Sequence, residues 1–209
     1  MKRRLLPILM TLVLVCALPI WAAFVTSPDV TNPLLTTADA TEPLKLEEVS
    51  TADDLRAKIT AGNSVKLTNN IDIDAVLHVT STLTLDLNGC TLRMTGTGSV
   101  LKVSGRATLT IQDSSAEGTG TITGGNAVDG GGVYVDDYAA LKMTGGCITG
   151  CHASYGGGGI RSSGNLYMSG TAKIEKCTSN WGSDDAIWNK EGVIYADGGT
   201  VDGMVNSQG

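Results

Sequence analysis

"GGGVYVDDYAALKMTGGCITG" at residues 130–150 and "GGGGIRSSGNLYMSGTAKI" at residues 156–174 decide how this chain is read. Each opens on glycine and passes into apolar residues that alternate with polar ones. That alternation is a β-strand with one face turned inward, since successive side chains leave a strand on opposite sides. One internal spacing then recurs along the chain: Leu77 and Leu83, Val103 and Leu109, Val135 and Leu141, Ile160 and Leu166, and Ile187 and Val193 are each six residues apart. Two residues past the second members stand Leu85, Ile111, Met143, Met168 and Tyr195. A third apolar point follows at Leu92, Ile122, Ile148, Ile174 and Val201.

Measured between second members, the units run 26, 32, 25 and 27 residues, the longest holding a loop, "SSAEGTG", at 114–120. A period of about 26 residues marks a stacked repeat. The expected fold is all-β: a single-stranded right-handed parallel β-helix of about five coils with an N-terminal capping α-helix. A sandwich would need hairpin turn chemistry between antiparallel neighbours and would not give units in one register. Glycine before the first anchor suits a corner that takes positive φ or passes close to other backbone.

Upstream, "EVSTADDLRAKITAGN" at 48–63 predicts a helix near residues 51–61. Ser50 or Thr51 caps it, Asp53 and Asp54 suit its positive end, Leu55 and Ile59 share the face to be buried, and Gly62 ends it. Such a helix would cover the apolar layer and open strand edges of the first coil. Residues 23–47, rich in Thr, Pro and Asp without apolar periodicity, read as a flexible linker. Residues 1–22 read as a secretory signal peptide: Lys2, Arg3 and Arg4, then an uncharged apolar run, then Ile20, Trp21 and Ala22 at a cut. The alternative is an uncleaved anchor, since the run is just long enough to span a bilayer. The β-helix domain is expected over 48–209, and the localisation as secreted or cell surface.

The 27 glycines and 4% aromatic content fit thin stacked layers better than a bulky core. The formal net charge is −6, and removing Lys2, Arg3 and Arg4 from the 15 basic residues leaves 12 against 21 acids. That balance argues against nucleic acid and anionic lipid, leaving membrane contact only through an uncleaved signal segment. With Cys16 in the signal, Cys90, Cys147, Cys151 and Cys177 remain. Export permits disulfides, but no CxxC or Cys/His metal spacing is present. Cys151 and Cys177 each follow the third anchor by three residues, so they should stack as thiols or as a disulfide. Cys90 and Cys147 should stay unbonded to each other.

"LTLDLNGCTL" at 83–92, with the two stretches quoted first, resembles the coils of secreted and surface-attached bacterial β-helix proteins of the pectate-lyase-like fold, including polymorphic autotransporter adhesins. The likeness spans residues 48–205. It implies a right-handed superhelix, a capping helix at the N-terminal end, and a surface or extracellular role; it is specific for fold rather than for activity. Polygalacturonases of this fold carry a paired aspartate in a string similar to "GSDDAI" at 182–187, which makes Asp184 and Asp185 weak catalytic candidates. Three companions the resemblance implies are missing: an Asn-Thr-Asp run one coil earlier, a His-Gly pair one coil later, and a following Arg-Ile-Lys. The pair falls at the corner occupied elsewhere by glycine runs, which suits a solvated corner.

Arg161 and Asp136 each stand one residue past a first anchor, so they are expected outward, adjacent and paired as surface ions. His78 and His152 are unaccompanied. No cofactor is implied; Asp113, Asp136 and Asp137 fall in positions that would give at most weak calcium binding, without EF-hand spacing. Aromatic residues are absent between Phe24 and Tyr134, and then Tyr138, Tyr155, Tyr167, Trp181, Trp188 and Tyr195 crowd the later coils. If the chain binds a glycan, the site is expected there, with Tyr155, Trp181 and Trp188 as stacking surfaces and Arg161 and Asp136 beside them; the alternative is that these rings close the end of the rod or fill corners. The expected function is a non-catalytic extracellular or cell-surface module for adhesion or glycan binding. The alternative is a small polysaccharide lyase or glycoside hydrolase. The partners foreseen are a polysaccharide or host glycan, and a second copy joined end to end at the C-terminal coil.

Overall fold

The computed structural model describes residues 45–180 and 185–207. The signal segment, nearly all of the linker, Trp181 and Asp184 lie outside these residues. Glu47–Val49 forms a strand, followed by the helix Ala52–Thr60, and from Val65 onward the chain is short strands. Every strand ladder is parallel. Among the described residues the protein is mostly β, with long parallel sheets curled like a solenoid and one helix.

The chain visits the same sheets in turn. One wing of the long sheet runs Glu47–Val49, Val65–Leu67, Leu83–Asp86, Thr108–Gln112, Ala140–Met143 and into the strand Asn165–Glu175. That strand also belongs to the other wing, with Ile71–Ile73, Thr91–Met94, Thr121–Thr123 and Cys147–Thr149; Ile194–Val201 pairs along it. A second sheet runs Leu77–Val79, Leu101–Val103, Val133–Val135, Ile160–Ser162, Asp185–Asn189 and Met204–Ser207. A small third sheet holds Asn126–Asp129, His152–Gly156 and Thr178–Ser179. Each turn of chain thus adds a strand to the one before, and the alternate inward residues form apolar columns.

The column Leu92, Ile122, Ile148, Ile174 and Val201 stands as the spacing predicts, with Ile71 added at its start. So do Leu83, Leu109, Leu141 and Leu166. At the last turn their partner is Ile194 instead of Val193, and the next inward residue is Ala196 instead of Tyr195. The first-anchor column needs a larger correction. Leu77, Leu101, Val133, Ile160 and Ile187 align, while Val103 and Val135 belong to the adjacent column with Val79 and Ser162. The corners after Val103 and Val135 are two residues longer than those after Val79 and Ser162, so the constant six-residue spacing joined residues from two columns.

Glycine marks that register better. Gly130 and Gly157, each three residues before Val133 or Ile160, have φ of 59° and 65°. A Cβ on Gly157 would lie 2.2 Å from the Ile160 carbonyl oxygen. Both turns therefore need positive φ and a missing side chain.

The helix begins where Thr51 accepts a hydrogen bond from the Asp54 backbone N–H at 3.3 Å. Asp53 and Asp54 occupy its first turn and Lys58 its last, matching the helix dipole. Leu55 and Ile59 are fully buried among Val49, Val65, Leu67 and Leu77. The helix packs against the first-turn strands. At the opposite end, Val205 and Ala196 are exposed although their column neighbours Ile187 and Met168 are buried.

Candidate functional site

Outward residues of the second sheet form a column of their own: His78, Lys102, Tyr134, Arg161, Trp188 and Asn206. Strand pairing sets this column at about 4.8 Å per step, and cations alternate with rings along it. Lys102 Nζ lies 4.9 Å from the Tyr134 ring centre; the Arg161 guanidinium lies 5.3 Å from that ring and 4.7 Å from the Trp188 ring. Arg161 Nη1 also donates to the Tyr134 hydroxyl at 3.0 Å. Cation–π attraction of this kind is worth about 0.5–2 kcal/mol per contact, more where water is excluded. Arg161 Nε is 3.3 Å from Asp129 Oδ1, within ion-pair range but off hydrogen-bond alignment.

Trp188 is nearly enclosed, because its indole lies on the backbone of Gly156, where a Cβ would come within 2.4 Å of the ring. Tyr155 stands against it with ring centres 5.0 Å apart and planes tilted by 56°. Tyr155 is 42% exposed and forms the accessible rim. Together with Asp185, Met204, Asn206 and Ser207 the two rings line a hollow of about 420 Å³. Asp185 is buried; one carboxylate oxygen accepts the Gly157 N–H at 3.0 Å and the other accepts Asn206 Nδ2 at 3.2 Å. Its backbone carbonyl accepts the Gly158 N–H, so Asp185 stands level with the glycine corner. It is buried at the start of the strand Asp185–Asn189 rather than solvated as expected, because its carboxylate turns in to the Gly157 N–H.

Compared with known proteins, the chain matches no family model, no curated protein and no solved structure.

Of the residues singled out from sequence, Tyr155, Trp188 and Arg161 come together. Trp181 and Asp184 lie outside the described residues. Asp136 does not join them. It sits on the long corner after Val135, with Lys102 Nζ 3.3 Å away, while Arg161 takes Asp129 instead. The expected Arg161–Asp136 pair rested on placing Val135 opposite Ile160, and the two-residue difference in corner length removes it. Tyr134, Asp129 and Asn206 were missed. Aligning the chain on "GGGV" and "GGGI" would have set Tyr134 beside Arg161.

Asp113, considered for calcium, is otherwise engaged: it accepts N–H groups of Gly89, Ser115 and Gly120 at 2.8, 3.1 and 2.6 Å and the Ser115 hydroxyl at 2.8 Å. Burial raises its pKa, but these bonds outweigh that and hold it below the ordinary carboxylate value. His152 Nδ1 is 3.0 Å from the Thr178 hydroxyl, on the small third sheet. Among the described residues no three His, Cys, Asp or Glu side chains converge as a metal site.

All four described cysteines are free. Cys151 and Cys177 occupy equivalent places in successive turns: Thr178 N–H bonds to the Cys151 carbonyl, and both thiols are buried. The hydrogen bond to Cys177, with burial, pushes the Cys151 pKa up. Burial, with Glu175 and Cys177 nearby, pushes Cys147 up to about 11.

Proposed function

We propose that this chain is an extracellular or cell-surface right-handed parallel β-helix module that binds carbohydrate without chemically altering it. Right-handedness follows the strong preference of parallel crossover connections, and the extracellular placement rests on the signal-like N-terminus. The observation that carries the binding reading is the Tyr155–Trp188 hollow. Sugar rings stack on flat apolar faces while amide and hydroxyl groups take their hydroxyls, and Asn206 and Ser207 supply those groups beside the rings.

The second reading, a small polysaccharide lyase or glycoside hydrolase, is favoured by one feature, the Asp185 carboxylate at the edge of the hollow. Against it, both oxygens of that carboxylate already hold hydrogen bonds to the protein, and proton transfer needs an oxygen within reach of the substrate. A glycan array with the wild type and Tyr155→Ala, run alongside a reducing-end assay, tests the choice. Binding weakened about tenfold or more by Tyr155→Ala, with no new reducing ends, is expected. Release of reducing ends that stops in Asp185→Asn would establish the hydrolytic reading instead.

A further inference from the structure

The outer face of the long sheet carries a second aromatic feature. Thr110, Lys142, Tyr167 and Tyr195 align in one outward column. The two tyrosine rings stack with centres 4.8 Å apart and planes within 4°. Their mutual faces are closed, so their edges and hydroxyls border the neighbouring outward column, Thr144, Ser169 and Asp197. Between the columns runs a hollow of about 370 Å³. Lys142 closes one end with its ammonium 5.7 Å from the Tyr167 ring centre.

The chemistry of these walls is specific. An aromatic ring is electropositive at its edge, so the Lys142–Tyr167–Tyr195 wall favours electron-rich oxygen along its length and a full negative charge at Lys142. No ion pair among the described residues takes Lys142, and its side chain is exposed. The opposite wall offers the Ser169 hydroxyl and, as an acceptor, the Thr144 hydroxyl, whose proton is directed to the Ile111 carbonyl at 3.4 Å. Asp197, two turns along the column from the level of Lys142, accepts hydroxyl donors and repels anions. A ligand that satisfies both walls is rich in hydroxyl groups and carries one acidic group toward the Lys142 end.

Building on the carbohydrate reading above, we infer that this groove binds an acidic glycan, with a sugar carboxylate on Lys142 and neighbouring sugar hydroxyls between Ser169 and Asp197. It lies on a different sheet from the Tyr155–Trp188 hollow, so the two can be separated by mutation. Charge-assisted pairing is about twice as strong as a neutral hydrogen bond, which sets the size of the expected discrimination.

The experiment is calorimetric titration of sialyllactose and of a hyaluronan oligosaccharide, each as free acid and as methyl ester, into the wild type, Lys142→Gln, Tyr195→Phe and Tyr155→Ala, with circular dichroism as a folding check. For at least one of the two sugars, the acid should bind the wild type about tenfold more tightly than the ester, and that ratio should fall to about one in Lys142→Gln. Tyr195→Phe, which keeps the ring stack, should weaken acid and ester alike. Equal binding of acid and ester by the wild type overturns the inference. So does a ratio that survives Lys142→Gln and disappears in Tyr155→Ala, an outcome that leaves carbohydrate binding itself standing. If neither acid binds, the inference is overturned, while the array decides the broader carbohydrate reading.

Discussion

The turns before Asp129 and the turns after it share polar corner clamps, such as Asp185 on the Gly157 N–H and Asn165 on the Val193 N–H, but differ in what their outward positions carry. In the earlier turns, small polar side chains clamp one corner to the next. Asn70 accepts the Thr91 N–H, Asn88 Nδ2 donates to the Leu67 carbonyl, and Asp86 takes the N–H groups of Asn88 and Ser114 and the amide of Gln112. In the later turns, rings and cations stack along the outer faces, as in Tyr134–Arg161–Trp188 and Tyr167–Tyr195. The ends differ in the same direction, with a helix packed on the first turn and apolar residues exposed on the last. A repeated backbone can thus divide its work: polar corner clamps, with Asp86 buried among them, secure the early turns, while the later turns also spend their outward positions on rings and cations that can recognise a ligand.

The strongest way to break this contrast is through the two ends. Leu55→Ala should cost about 3 kcal/mol of unfolding free energy, because a fully buried leucine is replaced by a cavity under the cap. Val205→Ala, on the exposed last strand, should change it by less than about 0.5 kcal/mol. Urea titrations of both variants measure the difference; similar losses would mean that the two ends are equally closed in solution.

A smaller effect is expected at the corner clamps. Asp113→Ala should cost about 2 kcal/mol, since a charged acceptor of four hydrogen bonds is lost from a partly solvated site. Asp113 has a folded pKa below its unfolded value, so its contribution is complete above about pH 4 and disappears as pH falls through the folded value. Thermal melts across that range should show the wild type's advantage over Asp113→Asn shrinking with acid. An advantage that grew as pH fell would have the wrong sign and would remove Asp113 as a clamp.

The smallest signal is in the thiols. Cys90 and Cys147 are half-buried and Cys151 and Cys177 fully buried, and desolvation raises the pKa of both half-buried thiols. Iodoacetamide near neutral pH should therefore label Cys90 and Cys147 slowly and leave Cys151 and Cys177 untouched until the protein unfolds. Mass spectrometry that found Cys177 labelled as fast as Cys90 would mean that the last turns open by themselves, which would sharpen the contrast into a difference in stability.

Much of this contrast is written in the sequence, but unevenly. Period-two alternation located the strands, and the Thr51 cap, Asp53, Asp54, Leu55 and Ile59 located the helix, because these signals are local. Register across turns is not local. Leu83, Leu109, Leu141 and Leu166 align because each opens the same inward pair, whereas Val103 and Val135 went astray because corners absorb two extra residues without changing the apolar pattern. The site suffered for the same reason. Tyr155 and Trp188 could be grouped by turn, but the neighbours of Arg161 depend on a shift of two residues, and that shift decided between Asp136 and Asp129. Tyr195 looked like an inward residue until pairing turned it outward against Tyr167.

The most direct test of the whole account is amide hydrogen exchange, with and without the glycan that binds best on the array. Exchange in the free protein should be slowest between Val65 and Thr123 and faster in the strands from Ile194 onward. Added glycan should slow exchange within residues 140–207, where both aromatic features lie, and leave the clamped early turns unchanged. Protection that appeared instead in the strands before Asp129 would contradict the division of work between early and late turns, and with it the placement of binding on the aromatic half.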